Sequence, residues 1–163
     1  MPTRARLLLL AVLPLLLAWG SASTPARREV RVFILETLRK QEGATWERLG
    51  QYLLLSYDFD RSGCELRIRR AAEFGDDFQQ FIPMAEAQPV GASDTELAFQ
   101  CRLNRPCIRE QISNPRESED AGVPRTRILV MDPDYIRPLQ NAFAELHQLC
   151  RDPYASEWRG TVR

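Results

Sequence analysis

Histidine is nearly absent from this sequence of 163 residues: His147 is the only one. Lysine is equally scarce, with Lys40 alone among 22 basic residues and the others all arginine. No Gly-x-Ser-x-Gly turn, no glycine-rich phosphate loop and no Cys-x-x-Cys pair occurs. The first two absences remove the usual frameworks for a serine hydrolase and for a phosphate cradle. The third removes the commonest spacing for structural zinc. A surplus of charge is lacking as well, since 22 Asp and Glu residues bring the net charge to +0. A neutral chain has no general attraction for nucleic acid or an anionic membrane.

Long apolar runs are missing too. The longest, residues 7–18, is about a dozen residues, short of the roughly 20 that cross a bilayer as a helix. Arg4 and Arg6 precede it, Pro14 interrupts it, and the small residues Gly20, Ser21 and Ala22 follow. That order is the pattern of a cleavable signal peptide, with processing expected after Ala22. Residues 1–22 are therefore expected as a leader and residues 23–163 as a single globular domain, not an integral membrane protein after cleavage. A periplasmic or secreted location follows. All four cysteines, Cys64, Cys101, Cys107 and Cys150, lie beyond the leader, and an even count in an oxidising compartment points to two disulfides.

Helical spacing opens the domain. Val30, Phe33, Ile34, Thr37 and Leu38 share one face over residues 25–41, with Thr24-Pro25 as start signal and Gly43 as stop. The period changes over residues 51–59, ahead of a turn at Asp60-Arg61-Ser62-Gly63. Residues 64–69 alternate cleanly, with Cys64, Leu66 and Ile68 on one face and Glu65, Arg67 and Arg69 on the other. Further strands are expected over residues 78–82, 95–101 and 107–112, with an edge strand over 127–131. Residues 102–106 read as a hairpin loop and residues 113–126 as a long, mobile polar loop. A last helix follows Asp132-Pro133, its stripe running through Leu139, Phe143, Leu146 and Cys150.

A helix, a curved antiparallel sheet of about five or six strands and a C-terminal helix packed on it make an α+β fold. The element order over residues 30–150 resembles a pleckstrin-homology-like roll. It is also similar to uncharacterised bacterial exported domains carrying Leu-x-Phe-x-Cys-x5-Cys-Ile, here residues 97–108, and Ala-Phe-x-x-Leu-x-x-Leu-Cys, here residues 142–150. The resemblance implies the fold and transfers no catalytic residue. Cys101 and Cys107 flank the short loop and are expected to pair; Cys64, on an inward strand face, and Cys150, on an inward helix stripe, form the other pair.

Candidate chemistry meets a simpler explanation at each place. His147 and Cys150, one helical turn apart, could serve zinc or a thiol–base pair, but disulfide pairing of Cys150 removes both. Asp58-x-Asp60-x-Ser62-Gly63 copies half a calcium loop, yet Arg69 stands where the closing Glu belongs, so a polar turn is expected. Asp76, Asp77, Asp132 and Asp134 sit at turns or a helix start, where Asp is ordinary, and no glycosidase pair is inferred. No enzyme, metal or cofactor is expected. Arg67 and Arg69 form an outward basic strip, and Arg102 and Arg105 lie on the short loop; these four are the candidate partner-binding residues.

The expected function is a non-catalytic binding module of the cell envelope, its partner a protein or an anionic envelope component. The alternative is a periplasmic inhibitor or immunity-type protein that inserts the loop at 102–106; a small hydrolase ranks last. Intact mass of the exported protein checks the leader. It should correspond to a chain beginning close to Ser23, and a full-length product held in the membrane contradicts the expectation.

Overall fold

Alternating polarity through the middle of the chain and helical spacing at both ends produce an α+β protein, seen here as a computed structural model. The structure describes residues 25–42, 45–48, 51–72, 77–113 and 118–152; the expected leader lies outside them. Helix α1 spans Pro25–Arg39 and helix α2 spans Ile136–Arg151. Between them run β1 (Thr45–Arg48), β2 (Gln51–Phe59), β3 (Glu65–Ala72), β4 (Asp77–Pro83) and β5 (Ala87–Ala92). They are followed by β6 (Glu96–Cys101), β7 (Ile108–Ser113), β8 (Ser118–Val123) and β9 (Arg125–Leu129).

These strands form two antiparallel sheets rather than one curved sheet of five or six strands. One has the order β1-β2-β3-β4-β7-β8 and the other β5-β6-β9. Beyond β1, two of the strands not expected from the sequence have little intrinsic preference for extension. β5 reads Ala-Gln-Pro-Val-Gly-Ala, with a register shift between Pro89 and Gly91, and holds as an edge through its ladder with β6. β8, Ser-Glu-Asp-Ala-Gly-Val, occupies much of the stretch read as a mobile loop. It pairs with β7 from Ile108↔Val123 to Ser113↔Ser118, so ladder bonds supply what its composition does not.

The loop at 102–106 also differs from the hairpin expected. It carries the chain from β6 in the small sheet to β7 in the large one, so the two strands it joins never pair. Cys101–Cys107 is therefore a bridge across the crossing between sheets, with a Cα–Cα distance of 5.8 Å. The other bridge, Cys64–Cys150, ties the chain just before β3 to the end of α2, at 5.7 Å. Loop-entropy reasoning assigns about 4.6 kcal/mol to the long closure and about 2.4 to the short one.

One core serves both sheets and both helices. Tyr57, Leu66, Ile68 and Ile82 come from the large sheet, Leu97, Phe99 and Ile128 from the small one, and Ile34, Leu38, Leu139, Phe143 and Leu146 from the helices. Phe143 meets Phe99 edge-on, ring centroids 5.0 Å apart. Pro138 is the third residue of α2, inside the first turn, where its missing N–H costs no helical bond. In α1 the buried stripe is rotated from the expected one. Phe33 is 38% exposed, whereas Arg27 is buried and donates from Nη2 to Leu149 O at 2.9 Å. Packing against α2 as well as β2 turns the helix, and Arg27 satisfies a carbonyl in the last turn of its neighbour.

At the end of α1 the buried Gln41 joins three parts of the fold. Its Nε2 donates to Tyr57 OH at 2.5 Å and to Leu129 O at 2.7 Å, and its Oε1 accepts from the Met131 N–H at 3.0 Å. Burial, only partly offset by the Gln41 contact, pushes the Tyr57 phenol up to about 12. The folded protein thus keeps this proton where the unfolded chain has lost it. Stability associated with Tyr57 is intact below about pH 10 and declines as pH climbs from there toward 12. Thermal unfolding across this window should register a loss of roughly 2–3 kcal/mol from this group. Tyr57→Phe should flatten that part of the curve; an unaltered alkaline slope in the variant contradicts the assignment.

Candidate functional site

The strand phase that buries Leu66, Ile68, Ile82 and Ile108 sends their neighbours to the outer face of the large sheet. Arg67 and Arg69 stand there, both exposed, as the alternation requires. The register lines up Asp58, Arg67, Phe81, Arg109 and Gly122 in one row across β2, β3, β4, β7 and β8. Phe81 lies between two guanidiniums, with Arg109 Cζ 4.0 Å and Arg67 Cζ 6.0 Å from its ring centroid. Such contacts hold the cations in place without neutralising them. An open cavity of about 530 Å³ adjoins the row, lined in part by Arg39, Ser56, Asp58, Arg67, Arg69 and Gln79.

The strip is less basic than its arginines suggest. Arg69 Nε donates to both oxygens of Asp77, at 3.0 and 2.9 Å, and Arg67 Nε donates to Glu65 Oε1 at 3.0 Å. Arg39 approaches Asp58 at 3.8 Å. Arg109 has no ion pair among the described residues, and its charge is the one the surface presents most openly.

At the β8 end the row meets the crossing loop. Leu103 and Asn104 both take left-handed backbone conformations, with φ of 56° and 53°. For a leucine this costs roughly 1–2 kcal/mol, so the surroundings must impose it. The bridge does so, together with Cys101 N–H donating to Pro124 O at 2.8 Å and Arg105 N–H to Arg102 O at 3.3 Å. Leu103 consequently projects with 79% of its surface exposed, between the exposed Arg102 and Arg105. Pro106 seats on Gly122, where a Cβ would lie 3.2 Å from the proline Cβ. Because Gly122 pairs with Arg109, that missing Cβ faces the same side as the arginine. Pro106 thus sets the loop against the outer face that carries the row, the face shared by Arg67 and the Asp77-paired Arg69, and the exposed Arg102 and Arg105 belong to that loop.

The other sequence candidates have local duties. His147 Nδ1 donates to Met84 O at 2.7 Å; a carbonyl only accepts, so the ring proton is on Nδ1. Cys150 is bridged to Cys64. Asp60 accepts the backbone N–H groups of Ser62, Cys64 and Glu65 at 2.9–3.0 Å. Burial raises its carboxyl, but the Ser62 hydroxyl and these N–H groups outweigh burial and hold it below its ordinary value. Among the described residues no three His, Cys, Asp or Glu side chains gather to hold a metal ion.

No family model, no curated protein and no solved structure matches the chain. The likeness to a pleckstrin-homology-like roll thus has only element order behind it. Phe81, Leu103, Arg109 and Gly122 were not among the residues singled out from the sequence. Phe81 and Arg109 had a signal: both fall in the outward phase of strands whose inward phase is anchored by Ile82 and Ile108. Leu103 and Gly122 had none, since one depends on a backbone conformation and the other on a loop packed from outside the strand.

Trypsin reports on the loop directly. Arg102 is exposed, but cleavage after it requires an extended segment that the bridge forbids. Cys101→Ser with Cys107→Ser should be cut after Arg102 about tenfold faster or more, at a stability cost of about 2.4 kcal/mol. Equal cleavage rates contradict a loop held by its disulfide.

Proposed function

We propose that this chain is an exported, non-catalytic binding module of the cell envelope that engages a protein partner through residues 102–106 and the row Arg67–Phe81–Arg109. The observation carrying this reading is the loop itself: an exposed Leu103, held in a left-handed conformation by the Cys101–Cys107 bridge. An apolar side chain presented on a rigid, preorganised loop loses little entropy on docking and suits a central anchor. The cations flanking it favour a partner with an apolar notch rimmed by Asp and Glu. Two disulfides agree with an oxidising periplasmic or extracellular location. No described helix is long and apolar enough to cross a membrane.

The same loop favours one second reading, an inhibitor or immunity-type protein whose Leu103 enters a cleft of its target. The partner's identity separates the two. An enzyme that loses activity on binding indicates inhibition, whereas an envelope-assembly protein indicates a scaffold.

Two variants test the surface. Leu103→Ala and the double change Arg67→Glu, Arg109→Glu should each weaken binding to the partner captured from an envelope extract, the leucine change by about 2 kcal/mol or more. Both should leave stability within about 0.5 kcal/mol, because the substituted side chains are surface groups. Titration calorimetry gives the first quantity and thermal unfolding the second. Undiminished affinity in both variants excludes this surface.

A further inference from the structure

The space between the sheets is apolar along most of its length, with Leu66, Ile82, Leu97, Phe99, Ile108 and Ile128 buried. At one place it is not. Arg70, Gln80 and Glu110 occupy inward positions on β3, β4 and β7, and Thr126 of β9 faces them. Gln80 is 2% exposed and Thr126 8%. Gln80 Nε2 donates to Glu110 Oε1 at 2.6 Å and to Thr126 Oγ1 at 2.7 Å, while its Oε1 accepts from Arg70 Nη2 at 3.1 Å. A cavity of about 280 Å³ lies against this group. Phe78 and Leu129 give it an apolar wall, and the Arg127–Glu96 pair, 3.3 Å apart with Arg127 largely exposed, lies on its solvent side.

Hydrophobic side chains of similar volume would serve the stability of the core as well or better, so what this cluster adds is position and charge. What the cluster supplies is a small chamber bearing two guanidiniums and two carboxylates on opposite sheets and strands. Its balanced charge complements a small molecule carrying one charge of each sign. The volume falls just under the roughly 300–1,000 Å³ of sites for drug-sized ligands.

We propose that this cavity binds a free α-amino acid as its zwitterion. The carboxylate is taken by Arg70 and Arg127, the ammonium by Glu110 and Glu96, and the side chain rests against Phe78 and Leu129. Arg70 is oriented for this role by Gln80 and by the Phe78 ring, whose centroid is 5.1 Å from its Cζ. The exposed Arg127–Glu96 pair contributes little to stability and parts at small cost when the ligand enters. The site uses the inward side of the large sheet, so it stands independently of the partner surface outside.

Amide and side-chain NMR titration of the mature, oxidised protein tests this with glycine, L-alanine and D-alanine as probes. N-acetylglycine and glycinamide, each retaining one charge of the pair, serve as half-ligands. At least one amino acid should give saturable shifts at Gln80 and Thr126, with both half-ligands weaker by about tenfold or more. Glu110→Gln preserves an acceptor for Gln80 but removes the charge, and should weaken the amino acid by a similar factor. Absence of saturable shifts with all three amino acids overturns the proposal. So do half-ligands binding as well as the zwitterion, a result read on the wild-type protein whatever the fate of the variant.

Discussion

The chain passes between its two sheets side by side at one corner, and the structure depends on how that corner is pinned. β6 leads to β7 through residues 102–107, and β8 leads to β9 through Pro124. Cys101 joins the two passages, with its sulfur in the bridge to Cys107 and its N–H on Pro124 O. Fixing the corner sets the separation of the sheets and hence the core between them. It also forces the loop outward over Gly122, giving Leu103 a conformation it would not choose alone.

A second group of contacts fastens α2. Cys64–Cys150 secures its end, Arg27 reaches the Leu149 carbonyl from α1, and His147 holds the Met84 carbonyl between β4 and β5. The two hydrogen bonds each satisfy a buried or partly buried polar group, so they specify position more than they add net stability, whereas the bridge also restricts the unfolded chain. Burial of Phe143 and Leu146 supplies the larger driving force, and the polar ties choose among the ways that helix could lie. Gln41 does the same for α1, since its amide serves Tyr57, Leu129 and Met131 at once.

The sequence was legible where one face of an element is buried and the other wet. Leu66 and Ile68 announce β3, Leu97 and Phe99 announce β6, and the stripe through Leu139, Phe143 and Leu146 announces α2. Cysteine pairing was legible for a related reason, because inward phases place Cys64 and Cys150 toward one core. What could not be read were features settled by distant partners. β8 is extended because β7 is beside it, α1 is rotated because α2 competes for its face, and β6 and β7 separate into two sheets. The same divide runs through the site. Arg67 and Arg69 were correctly placed outside, but Asp77 and Glu65, which temper their charge, enter through the register. The exposed Leu103 belongs to a backbone conformation that no local pattern encodes.

The central claim is that the pinned corner presents Leu103 to a protein partner. A photo-crosslinking residue at position 103, in the full chain produced in its own cells, tests this most directly. The same residue at Val90, another exposed apolar position on the small sheet, provides the comparison. A discrete protein adduct should form from position 103, be absent from position 90, and be lost when Cys101 and Cys107 are both replaced by serine. Equal adducts from both positions, or an adduct indifferent to the bridge, would contradict the account.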